Sequence, residues 1–412
     1  MLKLISASDA RALARLVERR DTVDPSFARR VAAIVADVRK GGDRAVVAYA
    51  RRFDGLDAAL EVSRADMEAG ARAVPAPVRR AIRLAARHIR AVARTQVPRG
   101  SKLVVAPGVV VEQRVLPLER VGCYVPGGRY PLPSSLLMTA VPARVAGVTD
   151  VVAVCPRPEP AVLAAAIEAG VSRLFRVGGA HAVAALAYGT PSIPRVDKIV
   201  GPGNAYVAAA KALVAPDCAI DFHAGPSEIV IVSTRGNPEW IAADLIAQAE
   251  HDVDARAIFI TSSKRLATQV RRHVANQLPP EGPARESLDR NGGIVLTRGV
   301  RESVELANRL APEHLVVDDE AMASAVRCAG AIFVGDWSAQ ATGDYVTGSN
   351  HVLPTSGAAR FRGGLSAADF VRIASVQRLS RAGIRRIGPA AVALAEAEGL
   401  SAHAASVRMR LA

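Results

Sequence analysis

Gln248-Ala249-Glu250-His251 closes a stretch with helical spacing, and Gln248 and His251, three apart, share a helix face. A glutamine carbonyl and an imidazole so placed can hold one metal ion, while Glu250 points elsewhere. Glu313-His314 joins a carboxylate to an imidazole that titrates near neutral pH, two group types suited to general acid–base work. Neighbours on a regular strand face opposite ways, so the pair can act together only if the backbone bends. Gly343-Asp344-Tyr345 leads into the Gly-, Asn- and Pro-dense segment 348–355, where Asp344 with Asn350 and His351 offers hard ligands or substrate hydrogen bonds. Glu398 and His403 flank Gly399 close to the C-terminus. One Gln, two His and one Asp from distant segments make a mixed N/O set suited to Zn2+ or Mn2+, though no compact signature such as HExxH is present. Taken singly, each also reads as a solvated helix end, an exposed loop pair, a turn former or a helix C-cap.

Three glycine-rich segments, Pro126-Gly127-Gly128, Gly178-Gly179-Ala180 and Gly201-Pro202-Gly203-Asn204, fall where strands should end. Glycine there lets backbone amides approach a phosphate at a helix N-terminus. None completes GxGxxG, since Tyr206 holds the last position of the run from Gly201. By pattern alone, ordinary βα turns are the better reading of each. His181 and His223 adjoin such turns and can line a cleft, whereas His88 and His273 sit in Arg-rich helical stretches and read as surface residues.

These residues need elements to position them. Residues 1–100 carry helical stripes, Ala32, Ile34, Val35 and Val38 in one and Val78, Ile82, Ala85 and Ile89 in another. From Lys102 the pattern changes to short β-branched runs at 103–105, 109–111 and 121–125. Strand and helix patterns then alternate from about 137 to 335, broken by a polar loop at 279–291. Such alternation predicts an α/β fold with mainly parallel sheets covered on both faces, and ligands at the carboxyl ends of strands. The units are too many for one six-stranded sheet, so two αβ lobes with a cleft between them are expected. The tail from Ser366 reads as a helical appendage.

Composition excludes other classes. The 412 residues are half hydrophobic, enough for a large core without disulfides, and suggest two or three domains. The net charge of +14 suits a nucleic-acid binder, but only six of the 53 basic residues are lysine, arginine is dispersed, and aromatics are 4%. No apolar run reaches the roughly 20 residues of a spanning helix, and Asp9 and Glu18 interrupt the opening residues, so neither membrane insertion nor secretion is expected. Cys123, Cys155, Cys218 and Cys328 form no CxxC, which fits a reducing cytoplasm.

In combination the motifs are specific. Gly201-Pro202-Gly203-Asn204, Ala224-Gly225-Pro226-Ser227-Glu228, Gln248-Ala249-Glu250-His251, Pro312-Glu313-His314-Leu315, Asn350 to Thr355 and Glu398 to His403 occur in one order. The chain thereby resembles the histidinol dehydrogenase family over about residues 20–410. The resemblance implies NAD-dependent four-electron oxidation of L-histidinol through L-histidinal to L-histidine, with one Zn2+ per subunit. By position it implies Gln248, His251, Asp344 and His403 as zinc ligands, with zinc orienting the substrate through its imidazole and amino nitrogens. It implies His314 as the base for the hydroxyl proton and Glu313 as the activator of water. Ser227 and Glu398 would hold polar groups of the substrate, joined there by Gln248, His251, His314, Asp344 and His403. Tyr124, His181 and Asn204 would contact the cofactor on an incomplete, atypical Rossmann-like lobe.

The resemblance further implies an intertwined homodimer whose C-terminal segment completes the partner's site. The expected division is a helical segment at 1–20, a larger discontinuous lobe at 21–113 and 229–365, a cofactor lobe at 114–228 and a tail at 366–412. Three positions depart from or complicate the pattern. His181 replaces a usual glutamine, Phe222-His223 replaces an apolar pair, and Gly127-Gly128-Arg129-Tyr130 is similar to a paralogous branch that oxidises sulfopropanediol. That alcohol, with Arg129 facing a sulfonate, is the alternative substrate.

Overall fold

The computed structural model describes residues 2–17, 24–127, 131–222 and 225–412. Arg129, Tyr130 and His223 lie outside the described residues, as does the Ala224 of its motif.

The αβ alternation builds two six-stranded sheets. The first is wholly parallel, in the order Lys3–Ser6, Gly293–Leu296, Arg256–Thr261, Glu228–Val232, His314–Val317, Ala331–Val334. Its central strand Glu228–Val232 is buried throughout, as expected when helices cover both faces of a parallel sheet. The second runs Glu61–Val62, Arg173–Phe175, Asp150–Val154, Arg120–Tyr124, Lys198–Val200, Ala219–Ile220 and is parallel except for its first strand. Antiparallel Ser101–Ala106, Val109–Pro117 and Val371–Leu379 form a third sheet. Among the described residues no helix is long and apolar enough to cross a membrane.

Several expectations are corrected. The opening segment is not simply helical, because Lys3–Ser6 pairs with Gly293–Leu296 and extends the first sheet before the helix Ala10–Val17 begins. The loop expected at 279–291 contains the helix Ala284–Asn291, whose short apolar side, Ala284 and Leu288, is masked by charged neighbours. The tail is not wholly helical. Its strand Val371–Leu379, mostly exposed, pairs with Val109–Pro117 before the helices Arg381–Ala397 and Ser401–Arg408. The expected grouping of 21–113 with 229–365 also differs from the packing. Val31, Val35 and Val38 of the helix Pro25–Gly41 join Val154, Val177 and Leu186 in one core. Ile82, Ala86 and Ile89 of the helix Ala76–Gln96 join Val121, Ala153 and Leu174 in another. Their apolar stripes thus cover the second sheet. His88, expected at the surface, is half-buried and pairs through Nδ1 with the Val346 carbonyl at 2.7 Å.

Candidate active site between the two sheets

The helix Val300–Leu310 ends at Ala311, whose φ of +48° turns the chain sharply. Pro312 and Glu313 follow, and the strand begins only at His314. Glu313 therefore precedes the regular alternation, and this bend lets both side chains reach one neighbour. Glu313 Oε2 accepts from Ser227 Oγ at 2.7 Å and from the Glu228 amide at 2.9 Å. His314 Nδ1 lies 3.1 Å from the Glu228 carbonyl and 3.6 Å from Glu313 Oε2. On the other side of the ring, His314 Nε2 lies 3.7 Å from Asp344 Oδ1.

Asp344 is not in a loop as expected but on the short helix Ala341–Tyr345. The buried Gln340, which sequence reasoning missed, donates to Asp344 Oδ2 at 2.9 Å. His351 Nδ1 reaches the Asp344 carbonyl at 2.8 Å, and its Nε2 lies 3.4 Å from Ser135 Oγ. Ser135, also missed, stands in the first turn of the helix Pro133–Val145, on the second sheet's side of the cleft. Asn350 donates to the Met138 carbonyl of that helix at 2.7 Å. These contacts tie the carboxyl end of the strand Arg120–Tyr124, through the helix that follows it, to the amino ends of the first sheet's strands.

Electrostatics follow burial and proximity. Burial pushes the Glu313 carboxyl above its usual range, against the pull of the His314 ring and the two hydrogen bonds. Burial also opposes charge on His314, yet the Glu313 and Asp344 carboxylates on either side hold its pKa above that of ordinary imidazole. Asp344 sits below its usual value despite burial, because the His314, His351 and His251 rings surround it. Burial keeps His351 below the ordinary imidazole value.

Gln248 lies at the end of the helix Pro238–Ala249 and is fully buried. Its Nε2 donates to Ser227 Oγ at 2.6 Å, and Ser227 donates onward to Glu313. That chain of donors fixes the amide orientation and leaves Gln248 Oε1 buried without a hydrogen-bond partner. An orphaned buried oxygen is costly, and a cation satisfies it. His251, just past the same helix, is exposed. Gln248, His251 and Asp344 are thus brought together with the acid–base pair. Glu398 and His403 lie exposed on the tail and make no hydrogen bond or ion pair with these residues. Among the described residues, no three His, Cys, Asp or Glu form a metal-holding group. The chain's own converging set includes a glutamine, and the remaining candidate histidine stands apart on the tail.

The glycine turns lie at carboxyl ends of the second sheet. Gly201, with φ +116°, is required there, because a Cβ would meet the Tyr124 carbonyl oxygen at 2.2 Å. Its amide donates to Asp221 Oδ2 at 2.8 Å, and Asp221 forms a buried ion pair with Lys211. Asn204 caps the helix Ala205–Val214 by accepting from the Val207 amide. Tyr124 is buried, and its hydroxyl accepts the Gly179 amide at 2.9 Å. His181 is 1% exposed and lies 2.9 Å through Nε2 from Asp54 Oδ2. Sequence reading missed Asp54 and Asp221, which carry no motif of their own. The amides of Gly178, Gly179 and Gly201 have protein partners, as ordinary βα turns do.

Fold and site together define an α/β enzyme with a buried carboxylate–imidazole pair between two parallel-stranded sheets. A family model described as histidinol dehydrogenase matches residues 17–411. The chain is 47% identical to a histidinol dehydrogenase of Syntrophotalea carbinolica, with 100% of this chain and 99% of that protein covered. It is 45% identical to one of Methanothermobacter thermautotrophicus, covering both fully. A crystal structure of histidinol dehydrogenase from Elizabethkingia anophelis superposes with a TM-score of 0.94 at 32% identity, covering 100% of this chain and 98% of that one. The chain belongs to the histidinol dehydrogenase family, whose members are oxidoreductases.

Proposed function

We propose that this enzyme oxidises L-histidinol through L-histidinal to L-histidine, the closing reaction of histidine biosynthesis, with two NAD+ reduced per turnover. The observation that carries the reading is the convergence of Glu313, His314, Ser227, Gln248 and Asp344 on one cleft. In the first step His314 accepts the hydroxyl proton as the carbinol carbon delivers hydride to NAD+. Glu313 then takes one proton from the water that adds to the aldehyde, and the hydrate anion so formed would give its hydride to a second NAD+, the acid product losing its remaining proton to solvent. The Ser227 bond keeps Glu313 aimed into the cleft, and the Glu228 carbonyl orients the His314 ring.

Gln248, His251 and Asp344, with His403 from a second copy, would hold the zinc ion, and the orphaned Gln248 Oε1 supports this set. Bound there, the metal supplies orientation of the substrate's nitrogen ligands. Ser227 and Glu398 would contact the substrate's polar groups. The second sheet serves as an incomplete, Rossmann-like cofactor lobe, with Tyr124, His181 and Asn204 forming or backing the NAD surface. The three antiparallel strands and the tail form an arm on which Leu103, Val104, Val105, Ile373 and Leu394 are all more than half exposed. Such a patch supports a homodimer in which the tail's Glu398 and His403 reach the neighbouring cleft. Free, mostly buried cysteines support a cytoplasmic setting, with the Cys123 and Cys155 thiols each pushed up to about 12 by burial.

The deciding assay measures NADH formed per histidine produced from L-histidinol, with and without zinc, beside sulfopropanediol. Two NADH per histidine, lost on chelation and restored by zinc, is the expected result. Oxidation of sulfopropanediol alone would reassign the substrate.

A further inference from the structure

We infer that Asp54 is a positioning residue for the cofactor surface of the second sheet, holding the turn 178–181 from a remote part of the chain; this rests on the NAD reading of that lobe. The helix Gly179–Tyr188 begins with Gly178 at its N-cap, a residue with no side chain to satisfy the first amides. No larger residue fits, because a Cβ on Gly178 would meet Pro156 Cγ at 2.9 Å, and one on Gly127 would meet the same atom at 2.1 Å. Three loops at adjacent strand ends are therefore pressed together, and acceptors for the first amides of this turn must come from elsewhere.

Asp54, 124 residues upstream, supplies one for the amide of the cap residue itself. Oδ2 accepts the Gly178 amide and the His181 Nε2–H, each at 2.9 Å. A carboxylate at this helix start is favoured by the helix dipole, and it selects the His181 tautomer protonated on Nε2. Asp54 ends a π-helical turn, Ala50–Asp54, that continues the helix Asp43–Tyr49. π-Turns are uncommon and concentrate at functional sites. The same turn stacks Phe53 on Tyr49, with both rings beside His181. Tyr124, assigned to the cofactor, accepts the neighbouring Gly179 amide. Asp54, His181 and Tyr124 thus hold one backbone segment from beneath. His181 acts from inside the protein, since 1% exposure leaves it little surface for direct contact.

The test uses full-length protein and NADH fluorescence titration, beside steady-state kinetics and thermal unfolding. Asp54→Ala should weaken NADH binding by about tenfold, the scale of losing a charge-assisted bond. KM for NAD+ should rise in parallel, while kcat falls by less than about threefold. Asp54→Asn keeps an acceptor oxygen and should recover much of the affinity. His181→Ala combined with Asp54→Ala should be little worse than Asp54→Ala alone, because both act through one turn. Unchanged NADH affinity in Asp54→Ala, or a loss of kcat and melting temperature with KM for NAD+ unmoved, would overturn the inference. Should Asp54→Ala fail to fold, His181→Ala decides it, a weakened NADH affinity supporting the inference and an unchanged one overturning it. A wild-type protein that binds no NADH would remove the cofactor-lobe reading itself, an outcome distinct from a variant that binds as wild type does.

Discussion

Glu313 and His314 are adjacent in the chain and perform separate proton transfers in the proposed cycle. His314→Ala should lower kcat by about 100- to 10,000-fold, the usual range for a lost acid–base group. Glu313→Gln should spare the alcohol step and impair aldehyde hydration. Single-turnover NADH yield from histidinol should then fall from two toward one, with histidinal trapped by a carbonyl reagent. A yield that stays at two would remove Glu313 from that role. Asp244 carries a separate residue-level prediction. Burial pushes its carboxyl up to about 6, and among the described residues it forms no hydrogen bond or ion pair. Its folded pKa exceeds the unfolded value, so its contribution is fully present below about pH 4 and is lost as pH rises toward 6. Above that, the ionised form costs about 2–3 kcal/mol. Asp244→Asn should therefore be the more stable protein at pH 7, with the difference vanishing near pH 3.5 in chemical denaturation.

Helices and strands turn these residues into a site by where they stop. The left-handed Ala311 ends one helix, so that Glu313 lies just outside the strand and shares a neighbour with His314. The helix Arg381–Ala397 is set against the hairpin by glycine contact, since a Cβ on Gly383 would meet the Gly108 carbonyl oxygen at 2.1 Å. Gly383→Ala should push this helix off the hairpin, costing about 1–3 kcal/mol of stability. Activity should fall because Glu398 and His403 shift, although no site residue is changed. Full activity in a destabilised Gly383→Ala protein would count against a role for the tail in the site. The alternation from 137 to 335 was legible because buried parallel strands read as short apolar runs between helices. The strands Lys3–Ser6 and Val371–Leu379 were not, because edge or exposed pairing depends on a distant partner.

In the whole molecule, the separation of Glu398 and His403 from the cleft has one direct test. Co-expressed His314→Ala and His403→Ala chains would form mixed dimers carrying one intact site and one doubly defective site. Random pairing should restore about a quarter of wild-type activity. Two inactive variants that remain inactive together, with mixed dimers demonstrated by tag pull-down, would show that the tail serves no neighbouring site.

The six ordered motifs that include Ser227, Gln248, His251, Glu313, His314 and His403 were enough to indicate the family by resemblance, although each motif alone also fitted an ordinary turn, cap or surface pair. Sequence periodicity likewise established the α/β character, since side-chain burial in strands and helices repeats with fixed local periods. Tertiary structure decided which sheet the first helices cover, the Gln248–Ser227–Glu313 relay, the orphaned Gln248 oxygen and the Asp54 cap. Each depends on groups far apart in the chain meeting at hydrogen-bond or packing distance. Local propensity carries no record of such meetings, because a lone Asp54 has the same intrinsic preferences wherever its partner lies.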